Sequence, residues 1–147
     1  MEIVRRLVAP CEPSDLFVYV DDLGCYPPWM GLVHDVELVA GEPGPTWDVE
    51  LRATVGPFAR SKRLRMRRTE HVVDRRAVFE RAEADGRRHA PWMLRADLTP
   101  VDGGTELKMR LSYGGNLWSG AVLQRVLDEQ VDLGSRALIE LVTGEPA

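Results

Sequence analysis

Two side chains of this sequence stand where proton chemistry on an enclosed substrate would need them, His34 and Tyr113. On a strand, His34 shares a face with Leu32, Val36 and Leu38, and an imidazole on an apolar face has a tunable pKa suited to acid or base work. A histidine satisfied by a backbone carbonyl, or one at a sheet rim, has the same spacing. Tyr113 ends an apolar alternation that begins at Thr105. Its phenol could orient a ligand carbonyl, or it could be a core aromatic with its hydroxyl reaching water. Lys62 opens another apolar alternation and would meet an acidic ligand group at a cavity mouth, or simply stay solvated. Trp47 and Trp92 sit at equivalent ends of apolar faces, while Trp29, with Tyr26 beside two prolines, and Trp118 flank the expected openings. They read as pocket lining or as core, and the stiff Tyr26–Trp29 segment reads as a lid.

Other chemistries lack their spacing. His34, His71 and His89 make no H-E-x-x-H pair, and Cys11 and Cys25, fourteen residues apart, have no metal-ligand partner spacing, so no metal or other cofactor is expected. There is no G-x-S-x-G elbow and no phosphate-binding glycine loop. Gly103-Gly104 and Gly114-Gly115 are explained by turns.

The elements that must position these residues follow from periodicity. A first strand covers residues 2–8, and Pro13 and Asp15 start a short helix over about 13–22 that carries Leu16, Phe17, Val20 and Leu23. The period then becomes two. Strands are predicted over 32–39, 47–55, 62–68, 72–83, 92–99 and 105–113, separated by turn residues such as Gly41–Pro45, Gly56-Pro57, Asp85-Gly86 and Asp102-Gly103. The phase of 72–83 stays open because Val78 and Phe79 are adjacent. Asn116 can cap a long last helix over 117–142, with Leu123, Leu127, Gln130 or Val131, Gly134, Leu138 and Leu141 or Val142 as its stripe. This order makes the chain α+β, a curved seven-stranded antiparallel sheet wrapped around the C-terminal helix, in one domain over 1–147. A curved sheet and a straight rod leave space between them, where ligands prefer to bind.

Composition agrees with an ordinary folded domain, at 44% hydrophobic and 29% charged residues. The net charge of −4 hides an asymmetry, since Arg60 to Arg88 holds eleven basic and five acidic residues. On strand phase, Arg63, Arg65 and Arg67 lie on the outer face opposite Asp48 and Glu50, where opposite charges pair across strands. A nucleic-acid surface is therefore not favoured, and the aromatics that single-strand binders interleave are missing. No apolar stretch is long enough to span a membrane, and two unpaired thiols without a leader suggest a cytoplasmic protein.

The Val8-Ala9-Pro10 strand end, the helix Pro13 to Leu23, the Tyr26–Met30 segment, the Gly56-Pro57-Phe58 turn and the Gly103–Leu107 hairpin together resemble the START-like, Bet v 1-like (SRPBCC) superfamily. Within it the chain is similar to polyketide cyclase/dehydrase-like proteins and to proteins like the G-type subunit of carbon monoxide dehydrogenase. The resemblance implies a helix-grip fold with an internal cavity for a lipid- or polyketide-like molecule. It does not imply a reaction. The expectation is a carrier of one small hydrophobic or amphipathic ligand, as monomer or homodimer. The alternatives are an aromatase/cyclase or dehydratase using His34 and Tyr113, and an interaction protein using the basic strand face. The cyclases of the family rely on a cavity arginine, whereas the arginines at 63, 65 and 67 are expected to point outward.

Overall fold

The structure is a computed structural model that describes residues 2–39, 44–55, 57–83, 85–114 and 120–144, excluding the side chains at 55, 58, 60, 120–124, 126, 127 and 131. Trp118, Asn116, most of the 41–45 turn, the Arg60 side chain and the expected stripe residues Leu123, Leu127 and Val131 lie outside the described residues.

Strand β1 (Glu2–Ala9) leads through Pro10 into helix α1 (Pro13–Val20) and a single 3-10 turn (Leu23–Cys25). Five further strands form a meander, β2 (Val33–Val39), β3 (Thr46–Val55), β4 (Phe58–Val72), β5 (Arg76–Arg81) and β6 (Trp92–Val101). β7 (Gly104–Tyr113) then closes the sheet, and α2 (Gly120–Thr143) follows. The seven strands are antiparallel in the order β1-β7-β6-β5-β4-β3-β2, so β1 and β2 are the edges. The expected α+β helix-grip architecture is the observed one, with a curved sheet and a long C-terminal helix.

The inner face carries the alternation read from the sequence. Trp47, Val49, Leu51 and Ala53 of β3, Leu64 and Met66 of β4, and Trp92, Leu94, Ala96 and Leu98 of β6 are all buried. The predicted 72–83 strand is instead the end of β4, a turn and β5. Asp74 makes that turn with φ of 61°, one of the few non-glycine types that adopt the left-handed region readily, which is why no Gly or Pro announced it. The phase is also settled: Ala77 and Phe79 pair with Ala96 and Leu94 on the inner face, and Val78 lies on the outer face between Glu70 and Arg95.

The outer face is ion-paired across strands as its charges suggested. Arg63 meets Glu50 at 2.8 Å and Arg65 meets Asp48 at 2.9 Å. Arg76 bridges Glu70 at 3.0 Å and Asp97 at 2.7 Å, and Arg95 also holds Asp97 at 2.7 Å.

Helix α2 rests on the segment that follows the 3-10 turn. A side chain at Gly134 would place its Cβ 2.5 Å from the Trp29 carbonyl oxygen, so only glycine permits this approach. Gln130 packs one turn earlier against Gly31, and Leu138 one turn later is fully buried. At the C-terminal end Val142 packs on the core while Leu141 is 38% exposed, which decides between the two expected stripe residues.

Candidate functional site

The concave face of the sheet and α2 enclose a cavity of about 70 Å³. Its walls come from nearly every element. β1 supplies Ile3 and Arg5, β3 Val49 and Leu51, β4 Leu64 and Met66, β6 Trp92 and Leu94, and β7 Met109 and Leu111. Leu23, Met30, Leu32 and Val33 close one side, and Gln130 reaches in from α2. A second void of about 30 Å³ lies further along α2, against Arg6, Leu7, Trp29, Leu107, Gly134 and Ser135. Arg5, Met30 and Met109 line both voids and therefore form the partition between them. Two of these three are methionines, whose unbranched side chains repack readily.

The polar atoms of the main cavity are few. Trp92 is 4% exposed, and its indole N–H is buried with no hydrogen-bond partner among the described residues. An unpaired buried donor costs about 1–3 kcal/mol. Arg5 is ion-paired with Asp128 of α2. Among the described lining residues there is no carboxylate, histidine, cysteine or hydroxyl. No group of His, Cys, Asp and Glu suited to a metal occurs among the described residues either. The described part of the lining can therefore bind and orient an apolar molecule.

Of the described residues singled out from the sequence, only Trp92 lines the main cavity. His34 does not. The β2–β3 register shifts between Val33 and Asp35, so His34 is the extra residue of a bulge, exposed to solvent, while Val33 turns inward opposite Leu51. Leu38 keeps the inner register, opposite Trp47, but lies on the edge strand and is 67% exposed. Tyr113 is buried behind Trp92, with ring centroids 5.3 Å apart, and burial pushes its phenol pKa up. It is not part of the lining.

Tyr26 and Trp29 form an interior wedge rather than a lid. Tyr26 is fully buried and donates its hydroxyl to the Val20 carbonyl at 2.8 Å, and burial, reinforced by Asp21, holds its pKa well above the usual phenol value. Trp29 packs on it at 4.7 Å, donates its indole N–H to the Tyr19 carbonyl at 3.2 Å, and touches only the smaller void. The prolines that made this segment look like a loop instead shape a packed turn. Trp47 stands edge-on to Phe79 at 5.7 Å in the core. Lys62, paired opposite Leu51, is half-buried and outside the lining.

Arg5 was missed, and its signal lay in the strand's partner. β1 pairs with β7 so that Ile3, Arg5 and Leu7 face Leu111, Met109 and Leu107, the apolar face already evident in β7. On β1 alone the phase is ambiguous, because Val4 and Val8 suggest the opposite face as strongly as Ile3 and Leu7.

A curved antiparallel sheet closed by a C-terminal helix over an apolar cavity defines a START-like, Bet v 1-like domain. Residues 2–142 match the model of one family within this superfamily, and the chain belongs to it: the polyketide cyclase/dehydrase and lipid transport family. Among solved structures, a protein of Thermus thermophilus is similar at 18% identity and a TM-score of 0.69, covering 98% of both chains. The Zhui aromatase/cyclase of Streptomyces sp. R1128 is 11% identical with a TM-score of 0.68, over 97% of this chain and 93% of that one. Ara h 8.0201 is 15% identical with a TM-score of 0.64, over 99% of each chain. No curated protein matches the sequence.

Proposed function

We propose that the protein binds and carries one small hydrophobic or amphipathic molecule between the sheet and α2. The observation that carries this reading is the apolar cavity whose buried Trp92 N–H lacks a partner. A core selected only for stability would fill the void or satisfy the donor. Membership of a family described by lipid transport as well as cyclisation supports the same reading. Pockets that hold drug-sized ligands measure roughly 300–1,000 Å³. The observed void of about 70 Å³ is therefore a closed state, and uptake requires the methionine partition to repack and α2 to lift from the sheet.

The cyclase alternative loses the pair of residues on which it rested, because His34 is exposed on the bulge and Tyr113 stands outside the lining. The test is uptake of the neutral fluorescent probe N-phenyl-1-naphthylamine. Emission should rise on mixing with the wild-type protein and fall at least tenfold in affinity with Val49→Phe, which fills the cavity from β3. Absence of any rise, or equal uptake by a Val49→Phe protein that still unfolds cooperatively, would overturn the proposal.

A further inference from the structure

The main cavity is lined almost wholly by aliphatic, methionine and tryptophan side chains. The smaller void beside it is also almost wholly apolar; Arg5, on the inner face of β1, borders both, whereas Arg6 is exposed on the opposite face. A molecule lying through the partition would have its apolar part among Leu51, Leu64 and Leu94 and a polar end beside the Arg5 guanidinium. Arg5 occupies the junction.

Its present hydrogen bonding shows what such a polar end would be. One Nη donates to the Val4 carbonyl at 2.8 Å, and the other pairs with the Asp128 carboxylate of α2. No hydrogen bond from Nε is found among the described residues, so one edge of the guanidinium fork is open. The side chains of Arg5 and Asp128 are 36% and 43% exposed, although the Oδ1 that meets Arg5 is itself buried, so the pair is partly screened and worth about 1 kcal/mol. Asp128 is a single carboxylate on a helix that must move for uptake. A carboxylate carried by the ligand has the same charge and shape, and can take the fork bidentately in its place.

We infer that the ligand is an amphipathic carboxylic acid whose carboxylate replaces Asp128 on Arg5, so that binding the head group releases α2 from β1. This inference rests on the carrier reading above and specifies its ligand class. Exchange of one carboxylate for another leaves no charge uncompensated within the cavity, whereas Asp128, once displaced, turns to solvent. Ligand entry and helix release are then one event.

Displacement of N-phenyl-1-naphthylamine by decanoate, decanol and decylphosphonate, each below its aggregation concentration, tests it. The readout is the ratio of decanol to decanoate dissociation constants. In Arg5→Met this ratio should fall about tenfold or more, the value of a charged hydrogen-bonded pair. Arg5→Lys, which keeps the charge and loses the fork, should fall between, and serves if Arg5→Met does not fold. Asp128→Asn should tighten decanoate about threefold and leave decanol unchanged, since it removes the competing carboxylate. A ratio unchanged by both Arg5 variants, or decylphosphonate binding tighter than decanoate, overturns the inference while the carrier reading stands. Failure of the naphthylamine itself to bind overturns both.

Discussion

At the scale of single residues, the most informative one is Trp92. Its indole is buried beside the cavity, stacks on Tyr113, and carries a donor with no partner among the described residues. Trp92→Phe deletes that donor and keeps most of the aromatic bulk, so two effects oppose each other. The smaller ring forfeits buried area, while removing the orphaned N–H recovers about 1–3 kcal/mol. Urea unfolding of Trp92→Phe should therefore fall within about 1 kcal/mol of wild type, against about 3–5 kcal/mol for an ordinary large-to-small aromatic truncation. A loss beyond about 2 kcal/mol would mean that the N–H is satisfied after all. Trp92 was legible in the sequence because its strand alternates without interruption. His34 was misread for the opposite reason, since a one-residue bulge in an edge strand leaves no mark in the types of its neighbours. Arg5 was illegible alone and became legible only once β7 supplied its register.

At the scale of elements, the contact between α2 and the 29–31 segment decides how tightly the grip closes. Gly134 is the point of closest approach. Alanine is the better helix former by about 1 kcal/mol, but its Cβ would sit 2.5 Å from a backbone oxygen that cannot rotate away. Overpacking of this kind costs about 1–3 kcal/mol, so the net effect of Gly134→Ala should be destabilising, seen as a lower urea midpoint. A midpoint raised by the substitution would show that α2 has slack at this point. The sequence placed Gly134 on the apolar stripe, and its reason for being glycine needed the partner backbone. The strands of regular alternation, β3, β6 and β7, were read with their faces correct. β5 was not separated from β4, because Asp74 makes the intervening turn without glycine or proline. The Tyr26–Met30 segment was read as a lid from its prolines, yet its aromatic content decided the outcome by packing inward.

At the scale of the whole molecule, charge and apolar surface are divided between the two faces of one sheet. Part of the basic block from Arg60 to Arg88, including Arg63, Arg65 and Arg76, is tied to acidic neighbours on the outer face, and this sets an acid limit on stability. Burial alone would raise the Asp97 carboxyl, but hydrogen bonds from Arg95 and Arg76 outweigh it and hold its pKa below the usual range; Glu83 is lowered likewise, with burial overcome by Arg81 and the Arg65 backbone N–H. A lowered carboxylate stabilises the fold above its unfolded pKa of about 4 and ceases to do so as pH falls through its folded value. Asp97→Asn should therefore lose roughly 1 kcal/mol at pH 7, with the gap to wild type closing below about pH 4 in urea titrations. A constant gap from pH 7 to pH 3 would remove Asp97 from the acid transition. One last consequence follows from the strand order. Strands β2 to β6 join only to successive neighbours, whereas β1 waits for β7, pairing Glu2 with Ser112 across most of the chain. Loop closure over that separation is the slowest kind of contact to form. The hairpins of the meander can assemble as the chain is made, but the wall that bears Arg5 is set only after β7 has been made, so the enclosed cavity is completed late in folding.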